Sequence, residues 1–135
     1  MIIACATDDG INFCDRHFGD AEFYYIYQID KNSINFINKI KNTTEDEIEH
    51  ADPIKAKGII NILKKQNIDI GFTLVFGPNI KRIVKKLLPI VSNTIVIEDG
   101  LYAIQSNYDK VFELLENNKN CFFNLNTNKV VIINK

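Results

Sequence analysis

After residue 52 the chain alternates between helical and strand-like hydrophobic patterns, and this alternation constrains the fold more than any other feature. Asp52-Pro53 sets a capping residue before a proline at the first helical position, and Ala56, Ile59, Ile60 and Leu63 recur at i, i+3, i+4 and i+7. Asn67 to Val75 then reads as a short, largely buried strand. Gly77-Pro78 opens a second helix with Ile80, Ile83, Val84, Leu87 and Leu88 on its apolar face and Pro89 at its end. Thr94-Ile95-Val96-Ile97 predicts another buried strand, and Tyr108, Val111, Phe112 and Leu115 predict a last helix capped by Ser106 or Asn107. Residues 101 to 105 fit either a turn of helix or a loop.

Before this alternation come strands at 2 to 6, 22 to 29 and 33 to 40. The last two are joined by Asp30-Lys31-Asn32 as an antiparallel hairpin. The acidic stretch Asn42 to Glu49 reads as a solvated surface connection. Parallel crossovers must each cover a face of the sheet, so the order predicts a three-layer α/β domain, a mixed five-stranded sheet with helices on both faces. The tail, Cys121-Phe122-Phe123 and Val130 to Ile133 around Asn126-Thr127-Asn128, predicts a C-terminal β-hairpin extension. Such an edge is sticky, so it is expected to extend the sheet or to pair with a second copy as a homodimer. The expected organisation is one domain over 1–118 with 119–135 as its β extension.

Composition narrows the function. With 135 residues, a second independent core is not expected. Sixteen basic against seventeen acidic residues give no global field for nucleic acid. No apolar run approaches a membrane span, and Met1-Ile2-Ile3 lacks the features of a signal peptide, so a cytoplasmic protein without nucleic-acid or membrane partners is expected. Three widely spaced cysteines do not make a disulfide framework and fit a reducing compartment.

Between the first two strands lies Asp15-Arg16-His17-Phe18-Gly19-Asp20-Ala21, a polar turn with an imidazole three residues after Cys14. Imidazole ligates iron, copper or zinc, and a Cys-x-x-His spacing can place sulfur and nitrogen on one metal. The competing readings are an imidazole that bonds the loop backbone and a thiol that is merely buried. Cys5, between alanines in the first strand, reads as core. The start of the second helix would turn the N–H groups of Asn79 and Ile80 and the helix dipole toward an anion. Lys81, Arg82, Lys85 and Lys86 read as its solvated face, and His50 as part of the preceding helix start.

These strings taken together, Ala4-Cys5-Ala6-Thr7-Asp8-Asp9-Gly10, His17-Phe18-Gly19-Asp20-Ala21 with Phe23, and Gly77-Pro78-Asn79, resemble the dinitrogenase iron-molybdenum cofactor family over about residues 1 to 118. The resemblance implies a ribonuclease H-like fold and a noncatalytic module that binds or carries a metal-sulfur cofactor, an iron-molybdenum cofactor-like cluster or its precursor, with a cofactor-assembly protein as partner. It also implies cofactor contacts at His17, Arg16, Phe18, Gly19, Gly77, Pro78 and Asn79, with His17 and Cys14 as candidate metal ligands. Two departures stand out: Leu74-Val75-Phe76 is bulky before Gly77, and Leu88-Pro89-Ile90-Val91 replaces a glycine-containing turn. The alternatives are an assembly or regulatory interaction module without a cofactor and a metal-dependent nuclease. The nuclease reading is disfavoured because Asp8 and Asp9 end the first strand while Ile68 to Val75 carries only Asp69 at its beginning, and because no basic, aromatic nucleic-acid surface is readable.

Overall fold

The computed structural model describes residues 1–43, 53–117 and 120–133. Strands β1 (Ile2–Thr7), β2 (Phe23–Asp30) and β3 (Ser33–Lys41) are followed by helix α1 (Pro53–Lys64) and strand β4 (Ile70–Thr73). Then come the four-residue helix α2 (Ile80–Ile83), strand β5 (Leu88–Val91), and helices α3 (Ile97–Ser106) and α4 (Tyr108–Asn117). The hairpin β6 (Cys121–Asn124) and β7 (Lys129–Ile132) closes the chain. The acidic stretch beyond residue 43, His50 and the cap at Asp52 lie outside the described residues.

All strands join one mixed sheet in the order β3-β2-β1-β4-β5-β6-β7. This corrects the expected five-stranded sheet: among the described residues there are seven strands, because the tail hairpin takes the first of its two expected courses and extends the sheet, β6 parallel to β5. β1, β4, β5 and β6 are mutually parallel, whereas β2 runs antiparallel to both its neighbours.

The period-2 alternation of β1 divides the core. Ile3 and Cys5 face a cluster with Ile70, Phe72, Ile90 and Phe123 beneath Ile97, Leu101, Ile104 and Val111 of α3 and α4. Ala4 and Ala6 face the other cluster, with Tyr24, Ile26, Ile59 and Leu63 of α1, and Ile83 and Leu87. The layers are therefore as expected. The chain advances in one direction from β4 to β5 to β6, yet α2 covers one face and α3 and α4 the other. The two consecutive crossovers consequently have opposite hands, and one of them is of the uncommon kind.

Two expected elements are corrected. Thr94–Val96 is not a strand; it is a short connection whose Ile95 carbonyl accepts from Phe13 N–H, and Ile97 begins α3 with Glu98 and Asp99 in its first turn. The strand is Leu88–Val91 with Pro89 inside it. Leu88 donates its N–H to Asp69 toward β4, so Pro89 points its nitrogen toward β6, which pairs only from Ile90 onward. The missing donor therefore costs no ladder bond.

Candidate functional site

Residues 8–22 leave the carboxyl end of β1, meet the connection before α3 at Val96 and the segment after β4 at Val75, and return to β2. The Thr7 hydroxyl donates to the Asn12 carbonyl (2.6 Å) and accepts from Gly10 N–H (2.9 Å). The Asp9 carboxylate accepts from the N–H groups of Ile11 and Asn12, each at 2.8 Å, which holds its pKa below the ordinary value. Asn12 then bridges to Val96, and Cys14 N–H returns to the Ala6 carbonyl (3.0 Å).

The second half of the loop is braced by charge. Arg16 donates through Nη2 to the Asp8 carboxylate at 2.5 Å and through Nη1 to the Asp20 carbonyl at 2.8 Å, while Glu22 N–H donates to the other Asp8 oxygen at 2.9 Å. Arg16 therefore ties the turn to the end of β1, and the carboxylate raises its pKa further. The Cys14 thiol is buried and donates at long range to the carbonyls of Arg16 (3.5 Å) and His17 (3.9 Å). Desolvation pushes its pKa up, so it stands as a protonated core thiol. The adjacent Thr73 hydroxyl favours the thiolate slightly, yet it makes no hydrogen bond of ordinary geometry and is buried.

His17 itself pairs with Val75 in a parallel bridge, and Phe18 N–H donates to the Val75 carbonyl at 2.9 Å. This bond helps join the His17 loop to the segment after β4. Phe18 opens a 3-10 turn, Phe18–Asp20, closed by Asp20 N–H on the His17 carbonyl (2.8 Å). Its ring is 1% exposed, with Tyr24 at 5.1 Å on one side and Phe76 stacked at 5.1 Å on the other. The Tyr24 hydroxyl donates to the Phe18 carbonyl (2.9 Å), which fixes that ring from behind.

Gly77 lies directly under the imidazole: a Cβ there would fall 2.7 Å from Cε1 and 2.9 Å from Cγ of His17. Only a residue without a side chain permits this approach. His17, Phe18, Gly19, Gly77, Pro78 and Asn79 line one crevice with Asp20 and Phe76. Six of the seven expected cofactor contacts thus meet from two separate segments, and Arg16 is turned away to Asp8. Asp20 and Phe76 were not named as contacts; Phe76 had shown only as unusual bulk before Gly77.

The anion-binding expectation for the second helix is corrected. α2 is a single turn, Ile80–Ile83, and the Ile80 N–H is taken by the Gly77 carbonyl at 3.0 Å. It offers neither a free amide at Ile80 nor an appreciable dipole. The crevice holds about 10 Å³, room for about one water. Among the described residues, no three His, Cys, Asp or Glu side chains converge as a metal-ligand group. A metal-sulfur cluster would thus meet a single imidazole at the mouth of a narrow cleft. Among the described residues no helix is long and apolar enough to cross a membrane.

No curated protein matches the chain. A family model described as dinitrogenase iron-molybdenum cofactor matches residues 1–107, from β1 to the end of α3, and so contains both walls of the crevice. The chain belongs to the dinitrogenase iron-molybdenum cofactor family.

Proposed function

We propose that the chain is a noncatalytic binding or carrier module for a metal-sulfur cofactor, an iron-molybdenum cofactor-like cluster or its precursor, and that it serves cofactor assembly with an assembly protein as its partner. The family is associated with binding or handling of this cofactor. The observation that carries the reading is the meeting of His17 with Gly77-Pro78-Asn79 in one crevice at the carboxyl ends of β1 and β4, where α/β sheets commonly place ligands. His17 would supply the metal-ligating nitrogen and Gly77 the clearance that seats it; Phe18 and Gly19 shape the wall. A single protein ligand suits a cargo that is handed on, because release then breaks one coordinate bond. We also infer that β3-β2-β1-β4-β5 follow the ribonuclease H-like plan, with the hairpin added beyond β5.

Among the described residues the carboxylates lend the nuclease alternative no support. Asp8 follows the end of β1, whereas Asp69 accepts from Ile2 N–H at its beginning (2.9 Å). Six residues of strand separate them by about 20 Å, against about 4 Å between two catalytic metal ions. Asp8 is also engaged by Arg16.

Anaerobic reconstitution with ferrous iron, molybdate and sulfide tests the carrier reading. Visible charge-transfer absorption that falls several-fold in His17→Ala is expected, and a colourless protein without bound metal would sink it.

A further inference from the structure

Room for about one water is far too little for a metal-sulfur anion, so on the carrier reading the cleft at His17 has to widen before it takes one. Among the contacts that span it beside the imidazole are the Phe18 N–H to Val75 carbonyl bond at 2.9 Å and the Phe18–Phe76 stack, with rings 29° apart. The two rings are not equivalent. Phe18 is 1% exposed, bonded through its carbonyl to Tyr24, and seated against Gly71, where a Cβ would fall 3.1 Å from its ring. Phe76 is half-buried and sits between Val75, 41% exposed, and Gly77. Its segment is held to the loop by that bridge and by the stack, and no strand contains it.

We propose that Phe76 is the latch of the His17 site: its ring rests on the fixed Phe18 ring, and its departure carries Gly77 off the imidazole and widens the cleft for a sulfide-bearing metal anion. The proposal rests on the carrier reading for the need to open and for the identity of the anion; the contacts between the two segments stand apart from it. Phe18 is the anchor and Phe76 the moving part, so the two substitutions differ. Loss of Phe18 empties the core below the loop, whereas loss of Phe76 removes one aromatic pair at the rim. Such a pair biases an opening equilibrium about three- to tenfold.

The test compares the wild type with Phe76→Ala and with Phe76→Leu, which keeps bulk without a ring to stack. The first readout is the rate of His17 modification by diethyl pyrocarbonate, resolved from His50 by peptide mass spectrometry. The second is uptake of tetrathiomolybdate, followed by its visible absorption. Both rates are expected to rise about three- to tenfold in Phe76→Ala, with a smaller rise in Phe76→Leu. Faster modification in variants that take up no tetrathiomolybdate would uphold the latch and count against the carrier reading. An unchanged modification rate in a folded Phe76→Ala would overturn the latch, as would cluster binding from the outer side of the ring with wild-type kinetics. Should Phe76→Ala fail to fold, amide exchange in the wild type decides. Phe18 N–H exchanging faster than global unfolding upholds an opening step, and exchange only through global unfolding overturns it.

Discussion

The imidazole of His17 and the bare Cα of Gly77 occupy space that a methyl group would claim, so Gly77→Ala is expected to tilt the ring out of the crevice. Overpacking of this kind costs about 1–3 kcal/mol. Urea unfolding should register it, and the His17 ring proton resonances should shift while those of the far sheet face stay put. Asp9 is the pH-sensitive brace of the same loop. Its carboxyl is held below the ordinary value by the Asn12 and Ile11 N–H groups. The stability it contributes is complete above its unfolded pKa of about 3.9 and is lost as pH falls through the lower folded value. The amide resonances of Ile11 and Asn12 should therefore titrate below pH about 4, and Asp9→Asn should abolish that titration. Cys14 behaves oppositely: with its pKa raised by burial, it should alkylate much more slowly than an exposed thiol at pH 8 until the protein unfolds. Its cysteine-x-x-histidine spacing was legible in the sequence, but the turn that aims sulfur into the core and imidazole into the crevice was not, because spacing carries no direction.

At the scale of elements, helix α1 and the β2–β3 hairpin were readable because period and turn chemistry agreed there. The region 88–97 was misread because two signals of opposite meaning were exchanged. Pro89 punctuates a helix in most contexts, and Thr94 to Ile97 has the β-branched density of a strand. What decided was the partner available to each: Leu88 and Ile90 reach β4, while Thr94 bonds Ser92 and Ile95 and Val96 meet the loop at Asn12 and Phe13. Arg16 was likewise visible as a charged neighbour of His17, but its pairing with Asp8 depends on the path of the intervening loop. Both partners are well exposed, so Arg16→Ala should cost at most about 1 kcal/mol of global stability. Its effect should instead be local, as higher amide exchange across 15–20.

For the whole molecule, the tail decides how complete the fold is. The family match ends at residue 107, yet Val111, Cys121 and Phe123 lie in the core, each no more than 2% exposed. Leu125 N–H bonds the Val91 carbonyl at 3.0 Å, and the Lys110 ammonium sits 4.9 Å over the Phe123 ring. Phe123→Ala should therefore cost about 3–5 kcal/mol by thermal or chemical denaturation, a large part of a typical total of about 5–15 kcal/mol. Removal of 119–135 should leave no dispersed amide spectrum, a stronger outcome than a change of oligomeric state alone. The hairpin itself was legible from its alternation and its Asn-rich turn. Its place at the edge of β5 was not, since that depends on α3 and α4 covering the opposite face to α2.

The position of β6 also governs how the protein is made. Synthesis runs from the amino end, and β5 keeps one edge bare until Cys121 to Asn124 have left the ribosome. The His17 crevice is built wholly from earlier segments, yet the sheet beneath it shares its core with Cys121 and Phe123 and is complete only once they dock. The site is therefore expected to form after translation of the hairpin, not during it, and the amide signals of the His17 loop should appear together with those of β6 in refolding.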